Sequence, residues 1–514
     1  CALYFKICQT YFKISQTYFL PSENPFEKHD YNTDKTKTRI FIYNTGFGSA
    51  GCSRTATGAS AGNPLRFLYY PRLSLSLCQV PVRRLQVSLP REHRIPHHKT
   101  FTTMKTFLLR PALSAVMLFV AAANITAGGP VSIQKFGVLP GNSPQANREA
   151  LQRAIDTAEK SGTALYVEPA EGGYRVASGI VLKKNVSLTG AHGPVGRGTR
   201  NPSKAEPTGS LFVITDTEKP FITVRSATQI RGIQFYYPEQ AYNDPHKIIE
   251  YPPTIQVDKN EPVQGVTLSC LTFFGEYMAM DFESTGGKAN EQILFEHCYG
   301  FPLSGRFISI DYCYDIPRIL HCHVNPSNMR EFGRSFTPAV IDAVVGRKTF
   351  AYSINHTDNA QLIDIFTFGT YGGILLGGDS YGQMTNFNFD CVAVGIHKLG
   401  NSDFNRNWQV AQGSIIANTG ENVENIHPII AEGKGHLAIA NVEAFSGTNA
   451  ALSTVGKSFD FMLVRGNERT TVSMFGCRMR NYTSSSPLTV ENPKACIQAV
   501  ACIDKNEEPF NRSK

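Results

Sequence analysis

The stretch from Val263 to Pro326 repeats one short pattern three times. The hexapeptides Leu-Ser-Cys-Leu-Thr-Phe, Glu-His-Cys-Tyr-Gly-Phe and Leu-His-Cys-His-Val-Asn align so that Cys270, Cys298 and Cys322 come into register. The intervals between these cysteines are 28 and 24 residues. A period in the twenties indicates a solenoid, because each unit is too small to bury its apolar face alone and must stack on its neighbours.

The repeated units are short runs of alternating apolar and polar residues, separated by Gly, Asn and Ser. This alternation is typical of strands and not of helix pairs. The sequence therefore predicts an all-β fold, a parallel β-helix, in which equivalent positions of successive coils lie about 4.8 Å apart.

The same local pattern returns at residues 389–394 and 475–480, again around a cysteine. Five cysteines thus share one repeat position with apolar neighbours, and free cysteine is among the residue types most often buried. We expect a reduced column inside the coils, although 12 cysteines in a secreted protein would ordinarily suggest disulfides between coils. Cys496 and Cys502 are a separate case, a pair that is free to bond to each other.

The N-terminal part of the chain lacks the repeat. Residues 1–103 are rich in Ser, Arg and Pro, and we expect them to be a non-native or disordered upstream segment. Residues 104–127 have a basic start, an apolar middle and small residues at the end, which predicts a secretory signal peptide cleaved near Ala127. The alternative, a transmembrane anchor, is disfavoured because the apolar run is shorter than the ~20 residues of a span. We therefore expect a secreted or periplasmic domain at 128–514, without stable membrane insertion.

The formal net charge of +8 is mild for a chain of 514 residues, and no long Lys/Arg run occurs. This distribution argues against a nucleic-acid partner and favours, weakly, an acidic glycan. No feature of the sequence indicates an oligomeric state.

Residues 131–193 are predicted to form the cap at the N-terminal end of the solenoid. Ser143 and Pro144 are a helix-start signal, an N-cap followed by proline at the first helical position. Apolar residues spaced three and four apart then predict an amphipathic helix from Gln145 to Lys160.

Five short segments of this cap carry a resemblance to a known family. They are Phe136-Gly137, the helical stretch 147–158, Tyr166-Val167-Glu168-Pro169, Gly173-Tyr174-Arg175-Val176 and Asn185-Val186-Ser187-Leu188-Thr189-Gly190. Together they resemble the N-terminal signature of the pectate-lyase-like superfamily, in particular the rhamnogalacturonase and epimerase-like branch. The resemblance implies a right-handed parallel β-helix with an N-terminal capping α-helix, and a protein that acts on polysaccharide. The motif set of polygalacturonases is not readable in residues 128–514.

Two aspartates are the first candidates for chemistry. If the intervening turn slips by two residues, Asp281 aligns with Asp311, and their carboxyl groups stack one strand apart. Two such carboxylates do not ionise together readily, so one is expected to act as the acid and the other as the base or nucleophile of glycoside hydrolysis. Asp315, in the next turn, is the third catalytic candidate. The alternative is that these aspartates cap turns or bond to backbone amides.

Polar side chains flank the aligned cysteines and are expected to point outward. His297 and Tyr299 should lie beneath His321 and His323, with Arg318 just before them. We expect Arg318 and the three histidines to hold a sugar; the alternative is an exposed ladder without function. A metal site is not predicted, because the pattern indicates no acidic fourth ligand.

Two excursions at residues 236–254 and 325–347 are too long for simple turns. Long loops on a rigid scaffold are where binding residues concentrate, so Tyr237 and Glu239 of the first excursion are further candidates for sugar binding. Trp408, the sole tryptophan, is either a stacking platform for a sugar or a structural residue.

Three functions remain open at this point. The first is a glycoside hydrolase with paired carboxylates, which needs no cofactor. The second is a polysaccharide lyase, in which clustered aspartates bind Ca²⁺ and Arg318 or a histidine abstracts the proton next to a uronate. The third is a non-catalytic glycan-binding β-helix, in which the carboxylates only cap turns.

Overall fold

The computed structural model describes residues 129–191, 209–417, 425–446 and 458–513. The predicted upstream segment and signal peptide lie outside these residues. Everything described belongs to one compact unit. In this part of the chain, no helix is long and apolar enough to cross a membrane.

The chain forms a right-handed parallel β-helix, as the sequence predicts. The first sheet has 23 strands. They are Val131–Ser132, Leu165–Val167, Tyr174–Arg175, Ser187–Gly190, Ser210–Val213, Gln229–Arg231, Ile233–Tyr236, Thr267–Ser269, Thr272–Phe274, Leu294–Glu296, Tyr299–Gly300, Arg318–Leu320, His323–Val324, Ala360–Ile363, Phe366–Phe368, Gly382–Thr385, Asn388–Val392, Asn407–Ala417, Gly435–Ser446, Thr470–Phe475, Arg478–Met479, Cys496–Ile503 and Pro509–Ser513.

The second sheet has 13 strands and forms the opposite wall of the solenoid. They are Ile180–Leu182, Ile222–Val224, Ile255–Val257, Val263–Gln264, Met278–Glu283, Asn290–Glu291, Arg306–Tyr314, Phe350–Thr357, Gly372–Leu376, Val394–Lys398, Ile429–Glu432, Met462–Arg465 and Leu488–Val490. A separate pair joins Asn425–Ile426 to Ser458–Phe459. Of the described strands, the last alone is antiparallel to its neighbour.

Two α-helices accompany the coils: α1 (Pro144–Ser161) at the N-terminal end and α2 (Pro338–Gly346) in the second excursion. The Ser143 hydroxyl accepts a hydrogen bond from the amide of Ala146, and Gly162 ends α1 with a φ of 68°. The predicted cap helix is therefore confirmed to within one residue at each end. Short 3-10 helices lie at Ile133–Phe136, Pro245–Lys247, Gly286–Lys288 and Pro326–Phe332.

The cysteine alignment is off by one residue at its first step, between Cys270 and Cys298, and correct at its second, between Cys298 and Cys322. Ser269 pairs with Glu296, which pairs with Leu320, so Cys270 lies over His297 and not over Cys298. Cys270 has a φ of 55°, in the left-handed region, and His297 has 51°. The prediction was wrong here because a cysteine at a bend and a cysteine at the next, inward position look alike in sequence.

This bend recurs in ten successive coils, and we call its residues the corner residues. In each of these coils one residue with positive φ lies between two short strands of the first sheet or bends one longer strand. The corner residues are Gly232, Cys270, His297, His321, Asp364, Asn386, Gln412, Asn441, Gly476 and Ala501. Left-handed φ is costly for residues with a Cβ, and Asn and Asp tolerate it best.

The inward column behind the corner holds some of the predicted cysteines. Cys298 and Cys322 lie in register and are buried. Cys477 and Cys502, in two later coils, are likewise in register and buried. Cys391 occupies another place in its coil, beside a register shift. All eight cysteines in the described ranges are free.

The possible bond between Cys496 and Cys502 is not formed. Cys496 is exposed and Cys502 is buried, so the two side chains lie on opposite sides of one strand.

The interior is filled by aromatic side chains stacked from coil to coil. The rings of Phe235, Phe273, Phe307 and Tyr352 follow one another at centroid distances of 5.2, 5.8 and 6.3 Å. Trp408 is fully buried and donates its indole N–H to the Ser380 hydroxyl, which assigns the sole tryptophan to the core and not to a sugar platform.

Replacing the exposed corner residue Asn386 tests the corner geometry. Asn386→Val should lower the free energy of unfolding by about 1–2 kcal/mol, because a β-branched residue is strained at a φ of 60°. Asn386→Gly should be nearly neutral, because glycine adopts this φ without steric cost. Urea unfolding of both variants provides the measurement, and equal losses for Val and Gly would contradict the account.

Candidate active site

The predicted site residues lie on different surfaces. Asp281 and Asp311 belong to the outward face of the second sheet, since their strand neighbours Met280, Phe282 and Ile310 are buried inward. Asp315 lies at a bend just after a strand of the second sheet. The other candidates lie on the first sheet, at its corner or in the first excursion: Arg318, His297, His321, His323, Tyr237 and Glu239.

Asp281 and Asp311 are not stacked. Asp281 pairs with Ser309, and Asp311 pairs with Glu283, so the two aspartates are diagonal neighbours, about 8 Å apart between Cα atoms. The assumed two-residue slip does not occur. The residue that stacks on Asp311 is Glu283, and we call the outward surface that carries Asp281, Glu283 and Asp311 the carboxylate face.

Each carboxylate of this face has a partner of opposite charge or a hydrogen-bond donor. The carboxylate of Asp281 is 2.8 Å from the Lys259 ammonium and accepts the backbone amide of Glu283 at 3.0 Å. Asp281 itself is only 7% exposed, which leaves little of it for a ligand. Asp281 is therefore placed to hold the backbone of Glu283, on its own strand, through the bond to the Glu283 amide.

Glu283 forms an ion pair with Arg306 on the adjacent strand. The same guanidinium donates to the Ser309 hydroxyl at 3.0 Å. Sequence reasoning missed both Glu283 and Arg306, although the strand alternation Met280, Asp281, Phe282, Glu283 already places Glu283 on the same face as Asp281.

Asp311 is bonded to a histidine from the next coil. Its Oδ1 lies 2.8 Å from Nδ1 of His356, and both side chains are partly exposed, 26% and 35%. The Tyr312 ring stacks on the imidazole with a centroid distance of 4.3 Å and an interplanar angle of 3°. An aspartate bonded to Nδ1 fixes a histidine so that Nε2 can exchange a proton.

Asp315 is a residue of a second set of bends and not of the carboxylate face. Its φ is 46°, and the residues at the same place in neighbouring coils also have positive φ: Ala227, Gly265, Gln292 and Asn359. It is exposed and accepts a hydrogen bond from the side chain of Gln292. The catalytic assignment of Asp315 is therefore corrected to a turn residue.

Beside the carboxylate face lies a cavity of about 510 Å³, which we call the arginine pocket. Its lining comprises Tyr251, Pro253, Tyr277, Met278, Ser304, Arg306, Arg347 and Thr349. Arg306 thus joins the pocket to Glu283, and both long excursions contribute walls, as expected of loops that carry binding residues.

The aromatic wall of the arginine pocket is held by polar contacts. Arg347 donates to the Tyr277 hydroxyl at 2.9 Å and also lies over its ring, 5.1 Å from the centroid. That hydroxyl in turn donates to Glu250 at 2.8 Å. Burial, and next the bond to Glu250, raises the pKa of Tyr277, and burial raises the pKa of Tyr251 to about 12. Both phenols are therefore neutral hydrogen-bonding groups at ordinary pH.

Tyr237, predicted to hold a sugar, is part of the core. It is 1% exposed, and its hydroxyl shares a hydrogen bond of 2.8 Å with Thr254. The prediction failed because the chain turns inward before the excursion leaves the coil. Glu239, two residues later, is exposed on the excursion.

The predicted two-by-two histidine arrangement is present on the first sheet. His297 stacks on His321 at 4.7 Å, and Tyr299 lies next to His323 at 5.8 Å. Asp364 bonds to Nδ1 of His321 at 2.8 Å.

Arg318 lies on the first sheet before these residues and donates to the Ile316 carbonyl at 3.2 Å. Arg318 and the histidines therefore form a surface separate from the carboxylate face. Their role in holding sugar stays a prediction.

Across the described ranges, no group of three or more His, Cys, Asp or Glu side chains is arranged to hold a metal ion. Lys259, Arg306 and His356 occupy the positions next to the carboxylates.

Comparison with known proteins gives no family assignment. A scan against family models and a search of curated proteins find no match. Among solved structures, the Agl-KA catalytic domain is similar at 10% identity and a TM-score of 0.41, covering 72% of this chain and 68% of that one.

Two further solved structures are similar at the same low level. The Acinetobacter phage vb_AbaP_AS12 gp42 tailspike matches at 8% identity and a TM-score of 0.43, over 75% of this chain and 64% of the tailspike, less than two thirds of its length. The Azotobacter vinelandii mannuronan C-5 epimerase AlgE6 A-module matches at 12% identity and a TM-score of 0.36, over 73% of this chain and 99% of the A-module. The architecture rests on the strand pairing above, and these similarities assign no function.

A buried acid beneath the arginine pocket gives a test of the site's electrostatics. Glu276 is completely buried, neither of its carboxyl oxygens accepts a hydrogen bond of ordinary geometry, and burial raises its pKa from 4.5 to about 8. Between these two pH values the folded state keeps a proton that the unfolded chain has lost. Stability therefore falls as pH rises through this window and levels off above about pH 8.

Glu276→Gln should remove this dependence, so that the variant gains Tm relative to wild type between about pH 5 and about pH 9. The exposed Glu239→Gln is the matched control and should follow wild type. Parallel Tm curves for wild type and Glu276→Gln would show that Glu276 is not protonated in the fold.

Proposed function

We propose that this protein is a polysaccharide-degrading glycoside hydrolase whose reaction centre is the carboxylate face of the second sheet. The observation that carries the proposal is the register pair of Glu283 and Asp311, two outward carboxylates on adjacent strands that Arg306 connects to the arginine pocket. Paired carboxylates flanking a glycosidic bond are the requirement of glycoside hydrolysis.

The partners of the two carboxylates suggest their roles. Arg306 forms an ion pair with Glu283, which suits a nucleophile or a base that activates water. Asp311 and His356 together carry the proton that the leaving sugar oxygen needs. Asp281 acts as a positioning residue through the backbone of Glu283.

The proposed substrate is an acidic polysaccharide. Arg306 and Arg347 line the same cavity, and guanidinium groups bind carboxylates in a bidentate manner. Tyr251 and Tyr277 add aromatic surface with hydroxyl groups, which suits a sugar ring. Export to the cell exterior, where such polymers are found, remains part of the proposal.

A polysaccharide lyase is the second candidate, and the bond between Asp311 and His356 favours it. In that reaction His356, held by Asp311, abstracts the proton next to a uronate carboxylate, while the two arginines bind the carboxylate. The C–O bond at the neighbouring carbon then breaks, leaving an unsaturated uronate. If Ca²⁺ is required, activity is lost in EDTA.

The two reactions differ in their products. The purified protein is incubated with acidic and neutral polysaccharides, with and without EDTA, and both new reducing ends and the ultraviolet absorbance of unsaturated uronates are recorded. Reducing ends without the absorbance support the hydrolase, and both signals together support the lyase. Cleavage of neutral polymers alone would contradict the role given to the arginines.

Asp311→Asn should lower kcat by about a hundredfold to ten-thousandfold, the usual contribution of a positioned acid or base. Asp315→Asn, the same chemical change at a bend four residues later, is the matched control and should keep wild-type activity. If both variants behave alike, or if Asp311→Asn stays as active as wild type, the reaction centre is not the carboxylate face. The non-catalytic glycan-binding alternative gains support only if the wild-type protein cleaves none of the polysaccharides.

Arg347→Gln should raise KM for an acidic polysaccharide about tenfold with little change in kcat, because the lost ion pair contributes to binding and not to bond cleavage. The methyl-esterified form of the same polymer is the matched substrate and should show a smaller change. Equal losses on the two substrates would indicate that Arg347 only supports Tyr277.

A further inference from the structure

A second, larger groove lies on the outward face of the first sheet, away from the carboxylate face. It encloses about 730 Å³ and crosses five successive strands, which correspond to about 19 Å of sheet. Its lining includes Gln383, Gln409, Gln498, His436, Ser473 and Phe475. We call it the glutamine groove.

The glutamine groove carries no ionised side chain. Among the described residues that line it there is no Asp, Glu, Lys or Arg. Burial, and next the ammonium of the buried Lys398, lowers the pKa of His436, so this imidazole is neutral at ordinary pH. The groove therefore differs in charge from the arginine pocket, which two guanidinium groups line.

The polar groups of the groove are regular in position. Gln383 and Gln409 are register partners, and Gln498 lies in the same column three strands further on. Strand pairing sets the spacing of this column at about 4.8 Å per coil. Each amide side chain both donates and accepts hydrogen bonds, which matches the hydroxyl groups of a sugar.

His436 holds two hydroxyl groups in place, that of Ser473 in the groove and that of Thr471 in an adjoining cavity. Its Nδ1 lies 2.8 Å from the Thr471 hydroxyl and its Nε2 2.9 Å from the Ser473 hydroxyl. A neutral imidazole donates through one nitrogen and accepts through the other, so one hydroxyl is held as an acceptor and the other as a donor.

A single exposed aromatic ring completes the surface. Phe475 is 56% exposed on a strand whose neighbours Val472 and Met474 are buried, and the adjoining cavity of about 420 Å³ adds Phe404. Arg469 lies in that cavity with its guanidinium 4.7 Å from the centre of the Phe404 ring. Phe475 pairs in register with Val500, which is 43% exposed, and its ring offers a face for one sugar ring.

We propose that the glutamine groove binds a neutral polysaccharide chain, as a non-catalytic site separate from the carboxylate face. The uncharged lining, the three glutamines in one column, the hydroxyl groups held by His436 and the exposed Phe475 together carry the assignment. This inference does not depend on the hydrolase or lyase reaction proposed for the other sheet.

Isothermal titration of the purified protein with neutral hexaoses (cellohexaose, laminarihexaose and maltohexaose), with hexagalacturonate for comparison, tests the proposal. Wild type and Asp311→Asn should bind at least one neutral hexaose with the same Kd. Gln409→Leu and Phe475→Ala should each weaken that binding about fivefold or more, the effect of one lost hydrogen bond or ring contact. Gln361→Leu, in the same column but outside the groove lining, should not.

Three results would overturn the proposal. They are absence of binding to all three neutral hexaoses, binding that Gln409→Leu and Phe475→Ala leave unchanged, and binding of hexagalacturonate that both variants weaken as strongly. Sedimentation velocity of the same variants tests the other possible occupant of the groove, a second copy of this chain. If Phe475→Ala converts a dimer into a monomer and no hexaose binds, the surface is a contact between copies of this chain. Unchanged sedimentation together with weakened binding supports the groove as a glycan site.

Discussion

Strand pairing between successive coils is the interaction on which the rest of the structure depends. Each coil adds only a few residues to each sheet, and its apolar side chains are buried only because the next coil covers them. A left-handed corner residue recurs at the same register position in ten successive coils, which keeps equivalent positions in line. The corner column from Gly232 to Ala501 shows that this geometry persists over ten coils despite changes of residue type.

Because equivalent positions of successive coils are kept in line, side chains form columns on the outer surface. The ligand that a part of the surface can bind depends on the residue types in its columns. On the second sheet the columns bring Glu283 against Asp311. Arg306, from the same strand as Asp311, and His356, from the next strand, lie beside them. On the first sheet they bring together amides and a neutral histidine. The two sheets thus present surfaces of different charge, which is why we propose different ligands for them.

The sequence was sufficient for what depends on local pattern. Alternation and the Ser143-Pro144 start signal predicted the β-helix and α1, and the repeat predicted that His297 would stack on His321. It was insufficient wherever one residue of register matters, because Cys270 at a bend mimics the inward Cys298. The pairing of Asp281 with Asp311 failed separately, because the two-residue slip assumed in the intervening turn does not occur. The contact of His356 with Asp311 could not be predicted for another reason. The two residues are 45 positions apart, and the second excursion with α2 lies between their coils in the sequence.

A crystal structure of the Asp311→Asn variant soaked with an acidic oligosaccharide tests the central claim most directly. The account predicts a sugar chain along the outward face of the second sheet, with a carboxylate of the ligand on Arg306 or Arg347 and a glycosidic oxygen next to residue 311 and Glu283. An acidic oligosaccharide bound at the His297 and His321 patch or in the glutamine groove, with the second sheet empty, would contradict it.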